Sequence, residues 1–207
     1  RSIAEFWRRW HISLSSWFQA YIYVPLGGSR DGKFKTIMNV FIVFLVSGFW
    51  HGANWTFVLW GFLHAMVFIP LVILDRNSKY KNSVIAEHTV FPRINEVFRV
   101  LLVFVIVTFF WIFFRSESIT DAFTFISHIF TDVSFQAYHH PKGYRMIDYY
   151  LLILFFVFYE FLIRKDERLP FNFKSKSLRF VIYTIVIFCM LLFYDDNIDR
   201  SFIYFQF

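Results

Sequence analysis

The sequence predicts an all-α fold. We expect a polytopic transmembrane helical bundle, with an amphipathic interfacial helix and a re-entrant or short helix that ends at a histidine. Three observations carry this reading. The 207 residues are 57% hydrophobic and 24% aromatic, against about 45–50% apolar in an ordinary globular domain. Long apolar runs recur along the chain. The basic residues, which give a net charge of +6, lie between those runs. That is the pattern of membrane-facing loops and not of one nucleic-acid-binding stripe. The bilayer is therefore the expected partner, and no nucleic acid is. With 1 cysteine, no disulfide can form within the chain. Cys189 lies inside an apolar run and reads as an inert, buried thiol.

Residues 2–23 read as the amphipathic helix. Trp7, Trp10, Leu14, Trp17 and Tyr21 recur at three- and four-residue steps and mark one face. Glu5 can pair with Arg8 or Arg9 one turn on. Aromatic and basic character together predict a helix lying at the bilayer surface. The turn formers from Pro25 to Gly32 break it. The apolar run 37–50 falls short of the roughly 20 residues of a straight span. It reads as a helix that stops inside the membrane, against a protein-lined or water-filled cavity. Residues 56–74 make a full span, in which Gly61 and Ala65 form a small-xxx-small pair for close helix approach.

Residues 75–96 form a polar loop, and 97–114 the next span. The longer loop 115–145 holds an interfacial helix at 121–130. Residues 146–163 and 178–194 are further spans, joined by the basic loop 164–179, and 195–207 is a tail. Lys and Arg number six in residues 1–35, four in 75–96, three in 115–145, six in 164–179 and one in the tail. The first, second and fourth of these segments are therefore expected in the cytoplasm, the third and the tail outside.

His51 is the residue most suited to chemistry. It sits in Ser47-Gly48-Phe49-Trp50-His51-Gly52-Ala53-Asn54-Trp55, at the break between two apolar runs. An ionisable group at membrane depth is costly and is a functional candidate by default. Histidine can accept a proton at neutral pH. The flanking glycines allow a helix break or close approach. The competing reading is a polar link across a helix contact. For His64, inside a continuous span, helix packing is the expected role. Trp50, Asn54 and Trp55 can line a cavity beside His51, although Asn54 equally suits capping of the next helix. Gly28 and Arg30, with Gly27, Ser29, Lys33 and Lys35, form either an anion-cradling turn or a plain basic turn. His139-His140 lacks the spacing of a zinc site, and no metal is expected. Asp148, Glu160 and Asp195-Asp196 read as interfacial or solvated. No Walker or dinucleotide motif occurs.

Three motifs occur in order: Phe6-Trp7-Arg8-Arg9-Trp10-His11-Ile12-Ser13-Leu14-Ser15-Ser16-Trp17, then Tyr23-Val24-Pro25-Leu26-Gly27-Gly28-Ser29-Arg30, then Ser47 to Ala53. Together they resemble the membrane-bound O-acyltransferase family, within it the alginate O-acetyltransferase and teichoic acid D-alanyl transfer branch. The ending Phe202-Ile203-Tyr204-Phe205-Gln206-Phe207 is similar to that of the alginate-type members. The resemblance implies that His51 is the catalytic histidine and His11 a second functional one. It implies that no cofactor is bound, and that the acyl donor is acetyl-CoA or an acyl-phosphopantetheine carrier. It implies acetyl transfer towards a polysaccharide acceptor, an extracytoplasmic acetyltransferase partner, and a place in the bacterial cytoplasmic membrane. Members carry further spans before the first motif, so residues 1–207 are expected to be the C-terminal part of one such domain. Within it, 1–35 hold the amphipathic helix and turn, 36–74 the histidine helices, 97–194 the further spans and 195–207 the tail. Two alternatives stand beside this: D-alanyl transfer to teichoic acid, and a transporter-like subunit without chemistry.

Overall fold

The computed structural model describes residues 1–132, 146–165 and 175–192. Every regular element among them is helical. The chain divides into two units, 1–136 and 137–207.

The first unit is organised around a helical hairpin of α3 (Gly32–His51) and α4 (Trp55–Ile73). Glycine sets how close the two helices come. A Cβ on Gly48 would run into the Phe57 carbonyl, and one on Gly61 into the Phe44 carbonyl. Neither position has room for a side chain, so the backbones touch. Ala65, the partner of Gly61 in the small-residue pair, is fully buried with Val40, Phe44 and Val72. At the turn, Asn54 caps α4 by accepting from the Thr56 amide at 3.1 Å. At the other end Lys33 pairs with Asp75 at 2.7 Å.

The helix that ends at His51 is not short. It starts at Gly32, ahead of the apolar run, and its 20 residues reach about 30 Å at 1.5 Å per residue. The lysines of its first turn disguise its length in the sequence. With α4 and α5 (Ile94–Arg115), it is, among the described residues, one of 3 helices long and apolar enough to cross a membrane. α5 packs against α4, and α6 (Ile119–Thr131) against α5, burying Trp60, Phe110, Phe113 and Ala122 in one cluster. Ser118 caps α6.

The element that turns back is residues 1–23. Here a continuous surface helix is replaced by α1 (Ile3–Arg9), α2 (Ile12–Phe18) and a π-helical turn, Gln19–Tyr23. The break falls at Trp10, which is extended, and His11, which is left-handed at φ 46°. α1 rises alongside α5. At its foot the Arg1 guanidinium bonds Glu96 at 3.0 Å, and at its top Trp10 meets Trp111 with ring centroids 5.4 Å apart. Residues 96 and 111 are about 22 Å apart along a helix axis. α2 and the π turn then descend along α3. Phe18 touches Trp50 near the top, and the segment ends at the Leu26–Gly28 turn, which Asn39 holds from α3. Of the aromatic face that predicted a surface helix, Trp7 packs on α3 and α4 and Trp10 meets α5, while Trp17 and Tyr21 stay exposed.

The foot is tied by charge. Arg1 also bonds Glu5 at 3.0 Å and the carbonyls of Ser83 and Val84 at 2.7 and 3.0 Å. Burial alone would push the Glu5 carboxyl up, but the Arg1 hydrogen bonds outweigh it and hold Glu5 below its usual value. Arg9, and not Arg8, is the second basic neighbour of Glu5, at 3.7 Å.

The second unit contains α7 (Met146–Ile163) and α8 (Lys176–Leu192), whose apolar side chains are largely exposed. Cys189 is exposed on α8 and not buried, because nearly all of that helix's described side chains are exposed. Glu160 is also exposed. His139-His140, the Asp148 side chain, Asp195-Asp196 and the Phe202–Phe207 ending lie outside the described residues.

Candidate active site

His51 is the last residue of α3 and is 9% exposed. Its ring is held by aromatic edges and faces from three helices. Trp50 and Phe114 each lie 5.0 Å away between centroids, and Trp60 lies at 5.4 Å, with planes inclined at 77–88°. Such edge-to-face packing fixes an imidazole's orientation.

His11 stands at the tip of the 1–23 segment, exposed, within electrostatic range of His51. Two histidines 40 positions apart in sequence are thus brought to one end of the bundle. The left-handed backbone at His11 costs about 1–2 kcal/mol for a non-glycine residue. Neither Gly nor Pro marks the break in the sequence.

His64 is fully buried one layer deeper. Trp7 Nε1 donates to its Nδ1 at 3.3 Å. Tryptophan is a donor only, so Nδ1 carries no proton. The His64 ring meets Trp60 at 4.8 Å and Phe110 at 4.9 Å, and Trp60 in turn meets His51. His64 is thus a packing residue, as expected, and the pin that fixes α1 to the hairpin. Trp7 and Trp60 went unremarked in the sequence as individual site residues. Their signal is only membership of the apolar faces.

The other candidates divide between the two ends of α3. Trp50 is 55% exposed and bridges His51 and Phe18. Trp55 is 75% exposed on the first turn of α4. Asn54 is a structural link, capping α4 and donating to the Glu117 carbonyl at 2.8 Å. Gly28 and Arg30 belong to the turn before α3, a helix length from His51. The amides of Gly27, Gly28 and Arg30 donate to carbonyls of Val24, Tyr23 and Gly27. Any anion at this turn would therefore meet side chains, not a nest of free amides. Asn39, buried mid-helix, donates to the Leu26 and Gly28 carbonyls at 3.1 and 2.8 Å and fixes the turn on α3. Its signal is a lone amide inside an apolar run.

Between the 1–23 segment and the α3–α4 hairpin lies a cavity of about 360 Å³. It extends from Asn77, Val72 and Thr36 at the basic end up to Ser47. Ser47 is four residues before His51, on the same helix face. The arrangement sets a histidine pair at one end of a span, with a mostly apolar cavity extending from one turn below His51 towards the other end.

The family model described as membrane-bound O-acyltransferase matches residues 1–116. The chain belongs to this family. Membership and the apolar helices together make it a multi-pass membrane protein. Its relatives include the probable alginate O-acetylase AlgI of Pseudomonas syringae pv. tomato, 42% identical over 119 residues, which cover 58% of this chain and 21% of the relative. The peptidoglycan O-acetyltransferase of Helicobacter pylori is 38% identical over 121 residues, 58% of this chain and 21% of the relative. The teichoic acid D-alanyltransferase of Streptococcus thermophilus is 38% identical over 91 residues, 41% of this chain and 21% of the relative. The chain therefore spans about a fifth of the length of these curated relatives. No solved structure matches it.

Proposed function

We propose that this chain carries the histidine site of an O-acyltransferase. It moves an acetyl group from a cytoplasmic thioester donor towards hydroxyls of an extracytoplasmic polysaccharide, such as an alginate-like polymer or peptidoglycan. The observation that carries this reading is His51. It is a buried imidazole fixed at the end of a membrane-length helix, with His11 at the same end of the bundle and a cavity reaching one turn below it.

The chemistry follows from those positions. A hydroxyl is a poor nucleophile until its proton is removed. His51 takes that proton as the oxygen attacks the thioester carbonyl. The new C–O bond forms, the C–S bond breaks, and His51 returns the proton to the departing thiolate. A positioned base of this kind contributes about 10²–10⁴-fold. His11 donates to the carbonyl oxygen as negative charge develops there, or orients His51. Trp50 and Trp55 flank the acceptor side, while Arg30, on the turn that Gly28 shapes, meets the donor at the basic end. The donor is acetyl-CoA or an acyl-phosphopantetheine carrier. The lysine- and arginine-rich loops face the cytoplasm. The protein lies in the bacterial cytoplasmic membrane and hands its acyl group to an extracytoplasmic acetyltransferase.

The relative named for D-alanyl transfer supports a second reading, with the same chemistry and a carrier-borne D-alanine. Membranes containing the full-length protein, supplied separately with labelled acetyl and labelled D-alanyl donors, separate the two. Labelled acetate in alkali-labile ester on polysaccharide or peptidoglycan is the expected result. Label entering only from D-alanine would transfer the assignment to teichoic acid.

A further inference from the structure

Arg8 is, among the described residues, the one charged side chain lining the cavity below His51. Its Nη1 donates to the Asn77 carbonyl at 2.7 Å. Its Nη2 is buried, with no hydrogen-bond partner among the described residues. Glu5 acts on Arg8 through space but is engaged by the Arg1 guanidinium at 3.0 and 3.2 Å. A buried cationic donor without an acceptor is unfavourable. A guanidinium that keeps an open N–H edge on a cavity is built to receive an oxyanion.

The rest of the cavity narrows the class of ligand. Its walls are mostly apolar, with the polar side chains of Ser15, Ser16, Gln19, Thr36 and Ser47 distributed along them. From Thr36 to Ser47 the channel follows α3 for about 16 Å. Arg8 and Asn77 lie towards the basic end, and Ser47 lies towards His51. A narrow chain with an anion at one end, hydrogen-bonding groups along it and a reactive group at the other matches this layout. We propose that Arg8 holds the phosphate of a phosphopantetheine arm, whose thioester end lies along α3 towards Ser47 and His51. Arg8 is thus a donor-binding residue. The proposal rests on the thioester reading above.

The test compares S-acetyl-4′-phosphopantetheine with S-acetyl-pantetheine, identical except for the phosphate. The full-length protein in its native membranes is assayed for thiol release and ester formation, as wild type, Arg8→Gln and Arg8→Lys. Wild type should show a KM for the phosphorylated donor lower by on the order of 10–100-fold, the range of a charge-assisted hydrogen bond. Arg8→Gln should bring the ratio of the two KM values towards one, and Arg8→Lys should restore part of it. A ratio unchanged in Arg8→Gln overturns the proposal, including the case where both KM values rise together because Arg8 is structural. An unchanged ratio with activity that tracks anionic lipid content would instead assign Arg8 to a bilayer phosphate. If wild type uses neither donor, the thioester reading itself fails.

Discussion

At the residue scale, His11 asks to be separated into backbone and side chain. Its φ of 46° is a conformation that glycine adopts without strain. His11→Gly therefore keeps the turn and removes the imidazole. We predict thermal stability in detergent equal to or above wild type, together with a loss of transfer of about 10²–10³-fold, the cost of removing one oxyanion donor. Retained activity would make the bend, and not the ring, the contribution of His11. The sequence singles out both histidines by their motifs. It does not show that they share one end of the bundle, because their 40-residue separation is bridged by tertiary packing such as that of Trp7 on His64 and Trp60. Asn54 illustrates the converse. Its position in the motif drew it towards the site, and its hydrogen bonds assign it to the cap and the Glu117 carbonyl.

At the element scale, the α3–α4 hairpin fixes the height of His51. Gly48 lies three residues before it and faces the Phe57 backbone. Gly48→Ala must push α4 away at the level of the site. We predict a destabilisation of about 1–3 kcal/mol, as for other overpacked positions, read as a lowered melting temperature in detergent, with transfer activity reduced alongside. A variant as stable and active as wild type would show that the helices separate freely there. Gly61 and Ala65 were legible as a contact face because small residues recur one turn apart. The true length of α3 was not, since Lys33 and Lys35 sit in its first turn where a hydropathy boundary falls. The re-entrant course of residues 1–23 was not legible either. An amphipathic pattern gives the apolar face of a helix but not whether lipid or protein covers it. No breaker residue announces the left-handed turn at His11.

At the scale of the whole molecule, the first unit sets a histidine pair at one end of membrane-length helices and fixed basic charge at the other. Arg1, Arg8 and Lys33 are each pinned to acceptors near the foot of the bundle. This polarity is what transfer across a membrane requires: donor entry on one side and acceptor approach on the other. Family membership was readable from three short motifs, because the residues that make the turn, the hairpin and the site are concentrated within the first quarter of the chain. The acceptor polymer leaves no such mark in these residues. The central claim is that His51 performs the proton transfer. Its most direct test is His51→Ala in the full-length protein at matched membrane levels in its native cell, quantifying ester-linked acetate on purified extracellular polysaccharide and on peptidoglycan. The account predicts that acetate disappears from one of these polymers while the polymer itself is still made. Unchanged acetate on both would contradict it.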